Sequence, residues 1–228
     1  MIKINIQKAL HGSSGDMMLT VDLNVKEGEF IALMGESGSG KTTLLRVLAG
    51  LEKAEGEIYV EDTVWLGDKK RLPPQQREIG FIFQDYALFE NMTVEENLLF
   101  VNEDNDLASK LLEMTELTTL SKRNVQGLSG GQKQRVSLCR AMMKKPKLLL
   151  MDEPLSALDS AMRSKLEEEI LKLHKTFGTT TIMVSHDTSA SYHLADRIVV
   201  MNEGLIVGDG GPDDLLKETS QISYTLSI

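Results

Sequence analysis

A glycine-rich segment between two apolar runs constrains the fold of this chain more than any other feature of its sequence. The segment reads Gly35-Glu36-Ser37-Gly38-Ser39-Gly40-Lys41-Thr42-Thr43, between apolar runs at 30–34 and 44–49. The first run predicts a buried strand, and the spacing of the second predicts a helix packed on a sheet. Glycines let several backbone N–H groups point into one concavity, and such a concavity binds phosphate. The segment therefore predicts a nucleotide site in which Lys41 contacts the terminal phosphates and Thr42 offers a hydroxyl to Mg²⁺.

The remaining apolar segments predict an α/β fold with a P-loop core. Alternating strands and helices imply a mixed, largely parallel sheet. Residues 2–6 and 19–25 alternate between apolar and polar, which predicts an N-terminal antiparallel β subdomain at an edge. The pattern from about 84 to 143 predicts an inserted helical subdomain, in which Thr93 and Glu96 form a capping box. Further strands are predicted at 56–60, 64–66, 78–83, 147–151 and 180–184, a hairpin at 198–207, a helix at 161–177 and a short helix opening near Pro212.

Composition limits the class of protein. At 228 residues we expect one domain covering 1–228, with no C-terminal regulatory domain. The formal net charge of -9 argues against nucleic acid as the main partner, because binding a phosphate backbone needs a basic face. Cys139, the one cysteine, is interpreted as a small buried residue, and the acidic run 167–169 as a solvated helix face. No apolar run has the length of a signal peptide or a bilayer span, so any membrane role would depend on other subunits.

An acidic pair follows the buried strand predicted near 147–151. Asp152 at the end of such a strand can hold Mg²⁺, usually through water, and Glu153 can orient or deprotonate an attacking water. An Asp-Glu pair is common on protein surfaces, but this one follows four apolar residues in a chain that also carries a P-loop. We therefore expect both residues to serve the nucleotide site.

A second segment predicts another anion site. Leu128-Ser129-Gly130-Gly131-Gln132 places a serine and two glycines at the opening of a helix, where the helix dipole favours a phosphate. One nucleotide does not need two such elements in one subunit. With this segment, the sequence resembles the ATP-binding cassette ATPases, whose signature motif reads as these five residues do. Other motifs follow in family order: residues 35–42 resemble Walker A, Gln84 the Q-loop glutamine, Asp152 and Glu153 Walker B, residues 156–159 the D-loop, and His186 the switch histidine.

The resemblance implies a site shared between two copies of the chain. Two cassettes would meet head to tail and bury each ATP between the P-loop of one copy and Ser129, Gly131 and Gln132 of the other. In that arrangement Gln84 would sense Mg²⁺ or the attacking water, and His186 would bond to the γ-phosphate. The implied catalytic residues are Glu153, His186, Gln84 and Lys41, and the implied metal-binding residues are Thr42, Gln84 and Asp152.

The chain departs from the family at the place where an aromatic residue usually stacks on adenine. Neither Phe, Tyr nor Trp occurs between Met1 and Glu29. His11 is the nearest candidate, since an imidazole can stack. The sequence therefore predicts His11 as the adenine-stacking residue.

The segment 85–93, which follows Gln84, has two interpretations. Its large apolar side chains could simply fill the core of the helical subdomain. In importer ATPases, a similar segment receives a short coupling helix from the membrane subunit. Glu90 stands here where a proline is common in those proteins, which loosens the match.

The family resemblance extends to a function. The segment 72–84 resembles importers of oxyanions, polyamines and ferric ions, and residues 2–6 and 64–66 resemble molybdate importers most. These features imply an ATP-hydrolysing subunit, working as a homodimer with integral membrane permease subunits and indirectly with a solute-binding protein. Its expected location is the cytoplasmic face of the membrane. An export ATPase and a soluble cassette ATPase of DNA repair or translation are the alternatives, which the permease type and co-purifying partners would distinguish.

Overall fold

The computed structural model of this chain describes residues 1–12, 15–156 and 158–215. In chain order, its strands and α-helices are β1 (Ile2–Gly12), β2 (Gly15–Val25), β3 (Phe30–Gly35), α1 (Lys41–Leu48), β4 (Glu55–Val60), β5 (Thr63–Gly67), β6 (Lys70–Arg71), β7 (Ile79–Ile82), α2 (Val94–Leu99), α3 (Asn105–Met114), α4 (Gly130–Met142), β8 (Leu148–Asp152), α5 (Ser160–Phe177), β9 (Thr180–Val184), α6 (Thr188–Leu194), β10 (Arg197–Asn202) and β11 (Leu205–Gly210).

The chain divides into two compact units. The first comprises Met1–Arg77 and Ile182–Ile228, of which the structure describes residues up to Leu215, and the second comprises Glu78–Thr181. Strand β9 spans the boundary between them in the sequence. The second unit contains the predicted helical segment 84–143 together with β7, β8 and α5.

The first unit is built on a mixed sheet. Its strands lie in the order β6-β5-β4-β1-β2-β11-β10-β3. The hairpins β1–β2, β4–β5 and β10–β11 are antiparallel, whereas β3 pairs in parallel with β10. The mixed α/β class predicted from the sequence is confirmed. The predicted N-terminal antiparallel β subdomain forms one end of this sheet, where β4 also pairs with the free side of β1.

The alternating pattern of the N-terminal strands places one face of the hairpin in the core. Ile2 pairs with Val25, and the register continues to Gly12 opposite Gly15. Ile4 and Leu23 are opposite one another and almost fully buried. Strand side chains alternate between faces, and the buried face is formed by Ile2, Ile4, Ile6, Leu19, Val21, Leu23 and Val25.

The second unit combines a parallel strand pair with four helices. Ile79 of β7 pairs with Leu148 of β8, and all five residues of β8 are buried. Helix α2 begins with the predicted capping box, in which Thr93 accepts from the backbone of Glu96 and Glu96 accepts from the backbone of Thr93. Cys139 on α4 is buried, as the sequence predicted.

Some predictions lie outside the described residues or differ from the structure. Ser13, Ser14, Ala157 and the residues after Leu215 lie outside the described part, so most of the helix predicted near Pro212 does too. The helix α6 was not predicted, because its seven residues are too short for a clear apolar period. Within the described residues, no helix has the length and apolar content that crossing a membrane requires.

Candidate functional site

The glycine-rich loop leaves β3 at a residue that must be glycine. Gly35 has a φ of 136°, and a Cβ at this position would lie 2.0 Å from the carbonyl oxygen of Met201. Met201 belongs to β10, which pairs with β3 in parallel and holds the end of the strand in place. The loop then ends at Gly40, which has a φ of 100° and is the N-cap of α1. The pairing of the two strands therefore fixes where the loop begins, and Gly40 fixes where the helix begins.

The N-terminus of α1 differs from those of the helices α2 to α6. No side-chain hydrogen bond caps α1, because its N-cap is glycine. In each of the other five described α-helices, the N-cap side chain accepts a backbone N–H of the first turn. The first N–H groups of a helix need acceptors, and the helix dipole favours an anion there. Thus α1 begins with the geometry of a phosphate site.

Lys41 lies folded against this loop. Its side chain is buried, and the ammonium donates to the carbonyl oxygens of Gly35 at 2.8 Å and Glu36 at 2.6 Å and to the hydroxyl of Ser39 at 3.3 Å. Phosphate oxygens accept hydrogen bonds from the same donors that carbonyl oxygens do. The positive charge is therefore already held at the loop that would receive a phosphate chain.

The other residues of the predicted phosphate loop divide into exposed and covered positions. Ser39 is buried and its carbonyl oxygen accepts from the backbone of Gly204 at 3.2 Å. Thr43 is partly covered on the first turn of α1. The residues with exposed side chains or backbone are Glu36, Ser37, Gly38 and Thr42.

His186 lies in the same unit as the loop, between β9 and α6. It is exposed, and its neighbours are fixed by hydrogen bonds. Ser185 donates its backbone N–H to Leu33 of β3 at 3.2 Å, and the backbone N–H of Asp187 donates to the Ser185 hydroxyl at 3.0 Å. Asp187 also caps α6. His186 therefore belongs to a segment that is hydrogen-bonded to β3, the strand that precedes the phosphate loop.

His11 lies near the tip of the β1–β2 hairpin. Its Nδ1 is 2.7 Å from a carboxylate oxygen of its cross-strand partner Asp16, and both side chains are mostly exposed. Its proposed role at the adenine stays a prediction.

In the second unit, the acidic pair ends β8 as predicted. Asp152 is the last residue of the strand and is buried, whereas Glu153 is partly exposed. Glu153 has a φ of 48°, a left-handed conformation that is rare for a residue with a side chain. The side-chain amide of Gln84 lies 3.5 Å from a carboxylate oxygen of Glu153. The structure thus brings together Gln84 and Glu153, two residues predicted to act on the same water.

The residues 129–132 open α4 with a second capping box. The Ser129 hydroxyl accepts from the backbone of Gln132 at 3.4 Å, and the side-chain oxygen of Gln132 accepts from the backbone of Ser129 at 3.0 Å. A hydroxyl that accepts one bond still has a proton to donate, so Ser129 can cap its helix and contact an anion together. Gly131 is buried against α5, where a Cβ would lie 2.9 Å from the sulfur of Met162.

The helix after the predicted D-loop is also capped. Asp159 accepts from the backbone of Met162 at 2.9 Å at the start of α5. Ser156 donates both its backbone N–H and its hydroxyl to the carbonyl oxygen of Glu153. The first residue of this loop, Ser156, is therefore tied to Glu153.

Arg140 of α4 holds the segment that follows Gln84, a contact that the sequence did not predict. Its guanidinium donates to the carbonyl oxygens of Ala87 at 2.6 Å and Tyr86 at 3.3 Å, and it lies 5.4 Å from the centre of the Phe89 ring. Tyr86 and Ala87 have φ angles of 62° and 46°. Phe89 packs on Phe100, whose side chain is 63% exposed. These two rings lie at the surface, so filling the core does not account for them.

The model of the ABC transporter family matches residues 18–156, which is more than half of the chain. This chain belongs to the ABC transporter family. The resemblance to ATP-binding cassette ATPases that the sequence motifs indicated is thereby confirmed.

Relatives within the ABC transporter family include import proteins for different solutes. The chain is 49% identical over 207 residues to the Fe(3+) ions import ATP-binding protein FbpC 2 of Rhizobium meliloti (strain 1021), covering 86% of this chain and 51% of that protein. It is 45% identical over 208 residues to the sulfate/thiosulfate import ATP-binding protein CysA of Mesorhizobium japonicum (strain LMG 29417 / CECT 9101 / MAFF 303099), covering 86% and 59%. The chain therefore spans little more than half the length of these relatives.

A solved ABC cassette shares the fold over nearly its whole length. The dimeric structure of a post-hydrolysis state of the ATP-binding cassette MJ0796, bound to ADP and Pi, superimposes with a TM-score of 0.79 at 32% identity. The match covers 93% of this chain and 99% of that one. The fold of an ABC cassette is therefore present in this chain.

The residues of this ABC cassette fit a magnesium nucleotide chemically. The uncapped start of α1 and the ammonium of Lys41 suit a chain of phosphates. Thr42 and Asp152 offer a hydroxyl and a carboxylate, and Mg²⁺ binds oxygen ligands, usually one or two from the protein together with phosphates. Both groups are therefore of the kind that Mg-ATP requires.

Proposed function

We propose that this chain is the ATP-binding and ATP-hydrolysing subunit of a membrane importer. The observation that carries the proposal is the start of α1, where a helix N-terminus that no side chain caps meets a buried lysine. A positive helix end and an ammonium group at one glycine-rich loop favour the phosphate chain of a nucleotide over a neutral ligand.

We assign the steps of ATP hydrolysis to a small set of residues. Lys41 would bind the terminal phosphates, and Thr42 and Asp152 would hold Mg²⁺, which would supply charge stabilisation for phosphoryl transfer. Glu153 orients the attacking water and accepts its proton. The contact between Gln84 and Glu153 supports this role, because an amide donor beside the carboxylate would hold it in position. His186 donates a hydrogen bond to the γ-phosphate.

A second copy of the chain completes the site in this proposal. The capped start of α4 leaves the proton of the Ser129 hydroxyl for a ligand, and the helix dipole there favours an anion. Ser129, Gly131 and Gln132 would contact the γ-phosphate held by the P-loop of the partner copy. The dimeric state of the MJ0796 cassette supports a head-to-tail pair.

The exposed rings Phe89 and Phe100 support an interface with the integral membrane permease subunits. Arg140 lies beneath Phe89 and binds the backbone of the same segment, so the aromatic surface is held in a defined conformation. A short amphipathic helix from a permease would bury these rings. This arrangement implies peripheral association with the cytoplasmic face of the membrane, with a solute-binding protein acting through the permease.

The solute class that we propose is an oxyanion, with molybdate as the first candidate. The support is the resemblance of the segments 2–6 and 64–66 to molybdate importers, and the sulfate/thiosulfate importer among the relatives carries an oxyanion. Co-purification with the permease and a solute-binding protein, followed by binding of molybdate and sulfate to the latter, tests this part of the proposal.

Two substitutions test hydrolysis. Lys41→Ala should lower the affinity for ATP with Mg²⁺ by at least about tenfold, because a charge-assisted bond to a phosphate is lost. Glu153→Gln should keep the affinity within about threefold but lower the rate of phosphate release by about 10²-fold or more, because the general base is lost. Equilibrium titration and a phosphate-release assay measure the two quantities.

Two exposed residues on α5 provide the matched controls. Lys175→Ala and Glu168→Gln remove the same charges at the surface of the second unit and should change neither quantity. Normal ATP affinity in Lys41→Ala, or fast turnover in Glu153→Gln, would contradict the assigned roles.

A further inference from the structure

Two apolar side chains near the tip of the β1–β2 hairpin form a surface beside the phosphate loop. Leu10 and Met17 are cross-strand partners in this hairpin. A Cβ at Gly40, the N-cap of α1, would lie 3.7 Å from a terminal methyl of Leu10 and 3.7 Å from the terminal methyl of Met17. The same position would be 3.0 Å from Leu19, which is fully buried. Leu10 and Met17 thus lie beside the start of the helix that would bind phosphates.

Leu10 and Met17 differ from the core residues of the hairpin in their exposure. Each is only partly covered, whereas Ile6 and Leu19, on the same face of the hairpin, are fully buried. On β2 the burial of this face stops at Met17, and on β1 it already decreases at Lys8, which pairs with Glu52. An apolar ligand part adjoining the phosphates would extend the buried face over these two side chains.

His11 and Asp16 point away from this position. His11 follows Leu10 on β1, and Asp16 precedes Met17 on β2. Neighbouring residues of a strand point to opposite faces. The His11 and Asp16 side chains are 77% and 82% exposed, and they contact each other at 2.7 Å. The sequence singled out His11 because it was the nearest ring, but the strand register gives the position beside Gly40 to Leu10 and Met17.

We propose that Leu10 and Met17 form the surface on which the base of the bound nucleotide packs, in place of an aromatic stack. The inference rests on the proposed function, which places the phosphate chain at the start of α1. A base offers a flat face to apolar side chains, and the thioether of methionine makes favourable contacts with aromatic rings. In this chain the base is therefore held by aliphatic and sulfur contacts.

Contacts of this kind have a consequence for specificity. Leu and Met side chains cannot read the hydrogen-bonding edge of a base, and every base has a face that can pack. The surface should therefore accept adenine and guanine with similar affinity. We expect dissociation constants for ATP and GTP that lie within about threefold of each other.

The test measures binding of three ligands to the full chain with Mg²⁺: ATP, GTP and inorganic tripolyphosphate. Met17→Ala and Leu10→Ala should each weaken ATP and GTP binding by about three- to tenfold, because apolar contact area is lost. Binding of tripolyphosphate, which has no base, should stay unchanged and shows that the phosphate loop is intact. Met17→Leu should keep most of the affinity, since its volume and apolar character are similar.

The hairpin supplies matched controls one residue away. Met18 is exposed and alternates with Met17, so Met18→Ala should leave all three affinities unchanged, as should His11→Ala. Unchanged ATP affinity in both Met17→Ala and Leu10→Ala would overturn the inference, and so would equal loss of ATP and tripolyphosphate binding. A selective loss of ATP binding in His11→Ala would restore the histidine as the base-contacting residue. If the unaltered protein bound neither ATP nor tripolyphosphate, the proposed function itself would fail.

Discussion

Glu169 is a charged residue that is buried, although such residues usually lie in solvent. It lies on α5, is 6% exposed, and has a carboxylate oxygen 3.0 Å from Nε of Arg135 on α4. Burial raises the pKa of Glu169 from 4.5 to about 7, although the charges of Arg135 and Lys165 oppose the change and Glu116 adds to it. The ionised form is therefore costly in the folded protein.

The raised pKa predicts a falling contribution to stability between about pH 4.5 and pH 7. Below this window the carboxyl group is protonated in both folded and unfolded states, and above it the folded state must hold a buried charge. Relative to Glu169→Gln, the free energy of unfolding of the natural protein should decrease by up to about 3 kcal/mol as the pH rises from 4.5 to 8.

Urea unfolding of both proteins across this pH range measures the difference, and Glu168→Gln, an exposed neighbour, is the control. Parallel pH profiles for Glu169→Gln and the natural protein would contradict a raised pKa of the buried Glu169 carboxyl group.

The sequence contained a signal for Glu169 that its interpretation as part of a solvated run overlooked. Leu166, Ile170 and Leu173 are buried, and position 169 falls on the same helical face by spacing. That expectation was therefore wrong for Glu169, while Glu168 is exposed as predicted. The partner Arg135 was not predictable, because it lies on another helix, and a helical period carries no information about non-local contacts.

At the level of elements, the two ends of α1 are stabilised by different means. Its start is open for an anion, whereas its C-terminal carbonyl groups are bound by the buried Arg77, which donates to Val47 at 2.8 Å and to Leu48. The same guanidinium donates to Leu72 and Trp65 and stacks over the Trp65 ring. Burial lowers the pKa of Arg77 to about 10, so the group keeps its charge at neutral pH. The helix and the β4–β5 hairpin are thus joined through one side chain.

Replacing Arg77 should weaken the first unit strongly. Arg77→Met removes several charge-assisted hydrogen bonds and leaves buried carbonyl groups without donors, which should cost about 3 kcal/mol or more in the free energy of unfolding. Arg77→Lys should recover little, since an ammonium cannot reach carbonyl groups on three segments together. Arg71→Lys, at an exposed position of the same segment, should cost about 0.5 kcal/mol or less. Thermal or urea unfolding measures these changes, and a cost for Arg77→Met as small as that for Arg71→Lys would contradict this role.

Local patterns were sufficient to predict most elements but not the links between them. The strand, loop and helix around the glycine-rich segment, the capping box at Thr93 and the hairpin β10–β11 agree with the structure because they depend on neighbouring residues. Most contacts of Arg77 and Arg140 join residues that are far apart in the sequence, up to 54 positions, and no short motif encodes them. The strand register that separates Leu10 from His11 also required the structure, since the loop between the two strands allowed more than one pairing.

At the level of the whole molecule, this one chain carries two elements suited to phosphate, the start of α1 and the start of α4. In the proposed function, a second copy gives both elements a role at one nucleotide. Ser129 has a structural function as well, because its hydroxyl caps α4. A useful substitution must therefore keep the cap while altering the contact to the nucleotide.

Ser129→Asp meets this condition, because aspartate caps helices as well as serine does but repels a phosphate. With ATP and Mg²⁺, Glu153→Gln should sediment as a dimer, since hydrolysis no longer separates the copies. The double variant Glu153→Gln, Ser129→Asp should bind ATP with an affinity within about threefold of Glu153→Gln but sediment as a monomer, because the new charge would face the partner's γ-phosphate. Ser129→Thr in the same background keeps a hydroxyl and should remain dimeric. Analytical ultracentrifugation distinguishes these outcomes, and a persistent dimer in the Ser129→Asp variant would mean that α4 does not begin at the partner's nucleotide.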